Sequence, residues 1–258
     1  MSPGAAAGLT ALALAAAAGL LAALGQTVRL RRSERRVGAA QTELERLQKA
    51  FGRFVPAEVA EDVAIRGVDR RGQLLEVTVL FADLQEFTQL SEQLAPAALV
   101  EVLNGYFEAM SSAISSHHGH VGKFIGDGLM AFFGALEANP WANNDAVHAA
   151  LAMRTALAQY NLVLVARGCP ALRFGVGIHR GAAIAGLIGS HELMEYTLIG
   201  DTVNTAARIE ALTRKHGTDI LLTPEARVGI DARLRLTERP PALVKGKREP
   251  IVTFALEG

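Results

Sequence analysis

A single cysteine, Cys169, stands among the 258 residues, so no internal disulfide can form and the thiol fits a reducing compartment. Aromatic side chains make up only 5% of the chain, which leaves packing to aliphatic residues and to the abundant alanines that favour helices. Net charge is also missing: 26 Lys and Arg balance 26 Asp and Glu. With no global field to draw polyanions, nucleic acid is not an expected partner. What is present is a hydrophobic half, enough to bury a core, and a length that allows one sizeable domain plus an accessory segment at about 150 residues per domain.

Residues 1–28 carry no charged side chain, and the Ala/Leu-rich run from Ala5 to Gly25 is close to the ~20 residues that cross a bilayer as a helix. Arg29, Arg31, Arg32, Arg35 and Arg36 follow at once, opposed only by Glu34. A cleaved signal peptide carries its basic residues ahead of the apolar run, not after it. The pattern predicts a single-pass anchor in the inner or plasma membrane, with everything after residue 28 on the cytoplasmic side. Over 29–56 the chain changes character. Val37, Leu44 and Phe51 recur every seven residues, as do Ala40, Leu47 and Phe54. That seam suits either a short parallel coiled coil pairing two copies or an amphipathic helix lying on its own domain. Phe54-Val55-Pro56 ends it, and 57–73 reads as a linker.

From residue 74 to 258 the pattern is a compact α+β domain. Leu75–Ala82 reads as a buried strand, Pro96–Ser116 as a helix, and His120–Phe133 as two strands around Gly126-Asp127-Gly128. A helix over Asn144–Ala166 follows. Arg173–Ile178 and Ala183–Ile188 read as strands joined through Arg180-Gly181, and Met194–Ile199 as another. Asp201 is expected to cap a helix reaching about Lys215, with late strands at Ile220–Thr223 and Ile251–Leu256. The opening order βαββαβ predicts a ferredoxin-like α/β sandwich with added C-terminal strands.

Four stretches carry chemistry. The buried strand ends in Asp83-Leu84-Gln85-Glu86-Phe87-Thr88, where a carboxylate needs a cation or a hydrogen-bond network, or else caps the next helix. The amides of 84–88 would open that helix and could attract phosphate. Asp127, at the hairpin tip, lies where a turn commonly places Asp; brought beside Asp83, it completes a carboxylate pair able to hold two Mg²⁺ ions. Asn204 and Arg208 are four apart on one helix face, suited to solvent or to a ribose and a phosphate. Lys245 and Lys247 flank Gly246, either exposed or reaching a polyphosphate. His117, His118 and His120 read as loop histidines rather than as a metal cluster.

Phe81-Ala82-Asp83 with Phe87-Thr88, Lys123-Phe124-Ile125-Gly126-Asp127, Gly200-Asp201 through Asn204 to Arg208, and Val244-Lys245-Gly246-Lys247 occur in that order. Together they resemble the class III adenylate/guanylate cyclase catalytic domain across about residues 70–256. The resemblance implies conversion of ATP to 3′,5′-cyclic AMP and pyrophosphate, with two Mg²⁺ ions per site (Mn²⁺ substituting). It implies that Asp83, Asp127 and the Leu84 carbonyl bind metal and that Lys123 and Thr197 read the purine. Phe87, Thr88 and Lys245 would bind substrate, Asn204 would orient the ribose, and Arg208 would stabilise the transition state. It further implies a homodimer with each site shared between two chains. Lys123 and Thr197 match an adenylate cyclase of the IIIb type; a guanylate cyclase, or an inactive nucleotide-binding module, is the alternative. Where the family often has Gly before the Phe-Thr pair, this chain has Glu86.

Overall fold

A computed structural model describes residues 72–190 and 194–257. The expected anchor, the coiled-coil segment and all of the linker but its last two residues lie outside the described residues.

The pleat of β1 (Gln73–Gln85) sends successive side chains to opposite faces of the sheet, and the four consecutive residues Val77–Leu80 are buried on both. Leu80, Ala82 and Leu84 face one cluster, Val77 and Val79 another. Two helices, α1 (Phe87–Gln93) and α2 (Pro96–Ser115), lead from β1 to the hairpin β2 (His120–Ile125) and β3 (Gly128–Phe133). The long α3 (Ala142–Ala166) then returns the chain to β4 (Arg173–Gly189). β5 (Met194–Ile199), α4 (Asp201–His216), β6 (Ile220–Leu222), α5 (Pro224–Arg227), β7 (Leu236–Ala242) and β8 (Ile251–Leu256) complete the chain. The sheet runs β2-β3-β1-β4-β6-β8-β7, with β5 paired to β4. Its first four strands are antiparallel neighbours in the expected ferredoxin-like order, a mixed α+β architecture.

One face is covered by α2 and α3, whose Tyr106, Met110, Ile114, Ala146, Ala150 and Met153 are buried against β1 and β4. By length and apolar composition α3 could span a bilayer. Its inner side packs in this core instead, and its Arg154 clamps Asp219 through two bonds (2.6 and 2.8 Å) and the Leu256 carbonyl at 2.9 Å. The opposite face receives α4. Glycines allow the close approach: a Cβ on Gly177 would strike the α4 backbone at Glu210, and one on Gly175 would strike the Thr213 hydroxyl.

Two expectations need correcting, and one strand was not expected. Arg180-Gly181 is not a turn; β4 continues through it, because Val77 and Thr78 of β1 supply an unbroken ladder to both residues. Asp201 is the first residue of α4 rather than its cap, which is Gly200, and no side chain caps that end. The sequence reading also passed over β7, whose Pro240 and Pro241 disfavour a central strand; β7 is an edge strand, where missing N–H groups cost little.

Candidate active site

β1 delivers Asp83 to a point flanked by glycines. Asp83 faces Gly175 on β4, and on β3 a Cβ at Gly128 would lie 2.9 Å from Asp83 Oδ1. The β2–β3 turn places Asp127 beside it. Its first residue, Gly126, has φ +62, a backbone that glycine takes without steric cost. Burial raises the Asp127 carboxyl above the usual carboxylate range, and the charge of Asp83 and a hydrogen bond with it raise it further. The two acids that the sequence separates by more than forty residues therefore form a pair.

One cation already meets this pair. Arg214, in the last turn of α4, donates from Nη2 to Asp83 Oδ2 at 2.8 Å and to the Leu84 carbonyl at 3.1 Å. Two oxygens thus converge on a single nitrogen, with the Asp127 carboxyl adjacent. The donors are all oxygen, the set that Mg²⁺ and Mn²⁺ prefer. Among the described residues no three His, Cys, Asp or Glu side chains converge on a point, so a metal held here would keep positions for ligand oxygens. Arg214 was not singled out in the sequence. Neither was Glu210, one turn earlier on α4, which is 7% exposed with Oε1 lacking a hydrogen-bond partner. Burial, then the charge of Asp83, pushes Glu210 up to about 7. Tyr106, fully buried, has an unpartnered hydroxyl in the same field, and burial raises it well above the ordinary phenol.

The purine-reading candidates form a second group. A bulge between Val121 and Lys123 re-aims the strand at Gly122. Lys123 Nζ lies 2.8 Å from Glu195 on β5. Thr197, two residues on and on the same side of β5, is buried. Thr197 faces Gly186 near the end of β4, whereas Asp83 faces Gly175 near its start. Glu195 was also missed; its spacing of two from Thr197 on a strand was the available signal.

The third group surrounds the start of α4. Arg208 Nη1 is buried without a hydrogen bond and lies 3.8 Å from Asp201 Oδ1. Lys247 binds the other oxygen of Asp201, and this bond is the main reason the carboxyl is held below its usual range. Gly246, at φ +80, lets the loop before β8 lie against the guanidinium: a Cβ there would be 3.0 Å from Arg208 Nη2. Asn204 is exposed, its amide 3.4 Å from the Gly200 carbonyl, and Lys245 is exposed beside Gly246. Phe87 and Thr88 open α1 next to the acid pair. Phe87 packs partly on the core and Thr88 is exposed. Helical backbone starts only at Phe87, so Leu84 and Gln85 belong to the strand rather than to a helix start. Glu86 between them has φ 61 and ψ 23, the left-handed conformation that favours the glycine often found there in the resembled family, and its carboxylate pairs with Arg173 at 2.8 Å.

Residues 71–258 match the family model described as the adenylate and guanylate cyclase catalytic domain. An adenylate cyclase of Anabaena cylindrica is 33% identical over 235 residues, covering 85% of this chain and 45% of that protein. Adenylate cyclase 1 of Rhizobium meliloti is 34% identical over 177 residues, 66% of this chain and 26% of that one. The chain thus spans less than half the length of these relatives. Among solved structures, the adenylyl cyclase CyaB from P. aeruginosa superposes with a TM-score of 0.68 at 30% identity, over 73% of this chain and 96% of that one. The guanylyl cyclase Cya2 gives 0.69 at 32%, over 73% and 94%. Overall likeness therefore leaves the purine to the side chains that read it. The chain belongs to the class III family of adenylate and guanylate cyclase catalytic domains.

Proposed function

We propose that this protein is an adenylate cyclase that forms 3′,5′-cyclic AMP and pyrophosphate from ATP, working as a homodimer anchored in a membrane by its N-terminus. The observation that carries the cyclase reading is the Asp83–Asp127 pair beside the Leu84 carbonyl, gathered round a positive charge. Two Mg²⁺ ions held by these oxygens would polarise the ribose 3′-oxygen and neutralise phosphate charge during an in-line displacement at the α-phosphorus. The protein's other groups bind and orient. Lys123, steadied by Glu195, donates to adenine N1, and the Thr197 hydroxyl or the backbone beside it accepts from the exocyclic amine. Asn204 orients the ribose. Arg208, packed against Gly246, offsets charge growing on the α-phosphate as the bond to pyrophosphate breaks. Lys245 reaches the outer phosphates.

Two observations support a shared site. Among the described residues, the cation that meets the acid pair within one chain is Arg214, not Lys123, Arg208 or Lys245. In addition, Leu74, Ile184 and Ile199 stand side by side across β1, β4 and β5, 73%, 45% and 50% exposed. An apolar row of that kind suits coverage by a second copy. The membrane reading rests on the uncharged run and the arginines that follow it.

Parallel assays with ATP and GTP test the purine assignment. Cyclic AMP is the expected product, and Lys123→Glu should lower ATP use by at least about tenfold, the cost of one unmade hydrogen bond to the base. Cyclic GMP as the main product of the unaltered protein would overturn the assignment.

A further inference from the structure

Arg214 lies where the resemblance assigns no catalytic part, yet its Nη2 contacts both oxygens proposed to bind metal on β1: Asp83 Oδ2 at 2.8 Å and the Leu84 carbonyl at 3.1 Å. A guanidinium and a divalent ion cannot both occupy that point. One turn back on the same helix face, Glu210 is buried with Oε1 unpartnered. A buried carboxylate lacking a cation is costly, and the nearest cation on its own helix face is already engaged with Asp83. The Thr213 and Tyr106 hydroxyls, also buried and unpartnered, form no hydrogen bond with Glu210. Three carboxyls, those of Asp83, Asp127 and Glu210, thus gather round one guanidinium, that of Arg214.

We infer that Arg214 is a positioning residue, a resident cation that holds Asp83 and Leu84 in place without metal, and that Glu210 is the acceptor to which it transfers when a divalent ion enters. The entering ion supplies the charge that Asp83 loses, and Arg214 supplies the charge that Glu210 lacks. Arg214 thus sets the metal concentration at which the site loads. The inference rests on the metal reading of the acid pair.

The test is direct binding of Mn²⁺ to the full-length protein, followed by electron paramagnetic resonance of the free ion, without nucleotide and without turnover. Arg214→Gln should bind Mn²⁺ at least about tenfold more tightly, since a competing charge-assisted bond and a like charge are both removed. Arg214→Lys, which retains charge but not the planar fork, should fall between the two and serves if the glutamine variant does not fold. Glu210→Gln should weaken binding severalfold in the natural background and hardly at all beside Arg214→Gln, because its part depends on the arginine. Equal Mn²⁺ affinity in the natural protein and both Arg214 variants would overturn the inference while leaving the metal site intact. Equal weakening by Glu210→Gln in both backgrounds would overturn the transfer. No Mn²⁺ binding by the natural protein or any Arg214 variant would instead bring down the metal reading itself.

Discussion

Glutamine in place of Glu210 should make the metal-free domain more stable, and only at neutral to alkaline pH. In the folded protein this carboxyl is pushed from 4.5 up to about 7 by burial and by the neighbouring Asp83. An acid whose affinity for its proton rises on folding holds more protons in the native than in the unfolded state between those two values. Stability therefore falls as pH rises through this window and is flat above it. Each tenfold change in proton affinity is worth about 1.4 kcal/mol, so the full cost of the charged form comes to about 3 kcal/mol, or about 2 allowing for partial solvation. Glutamine has nearly the same shape and no charge. Urea unfolding at pH 8 should show Glu210→Gln more stable by about 2 to 3 kcal/mol, with the gain shrinking below about 1 kcal/mol at pH 5. The same gain at both values, or none at pH 8, would refute the claim that a buried, uncompensated charge sits behind the acid pair.

Two further substitutions probe other parts of the site. Glu86 holds a left-handed backbone at φ 61, so Glu86→Gly should be more stable than Glu86→Ala by about 1 kcal/mol in thermal or urea unfolding, although both lose the exposed pair with Arg173. Glu195→Gln should loosen the hold on Lys123 and raise the KM for ATP severalfold with a smaller change in kcat, measured by steady-state cyclic AMP formation.

Much of this was legible in the sequence because strand ends and turns carry local signals. The apolar run up to Asp83 and the Gly126-Asp127-Gly128 tip predicted the two acids and, through the βαββαβ order, their meeting. Arg180-Gly181 misled because glycine marks turns as often as close contacts; here Gly181 makes room for Thr202, to whose hydroxyl oxygen its Cβ would lie 2.8 Å. Glu195 left one local trace, its spacing of two from Thr197 on β5, but its partner Lys123 did not show there, and Glu210 and Arg214 were not legible at all. Each is an ordinary charged residue on a strand or helix, and its importance comes from what the sheet and α4 bring to it from more than seventy positions away. No local pattern encodes such a partner. Glu86 was legible only as a departure from the resembled family, and its conformation supplies the reason that glycine suits the position.

The account depends most on two chains completing each other's sites, and mixing inactive variants measures this directly. Asp83→Ala removes the acid pair from one chain, and Arg208→Ala removes from the other the arginine proposed to meet the α-phosphate; each alone should form almost no cyclic AMP. Co-refolded in equal amounts, half of the dimers should be mixed and carry one intact site each, restoring about a quarter of the natural rate. Activity no greater than that of the two variants assayed separately would contradict the shared site.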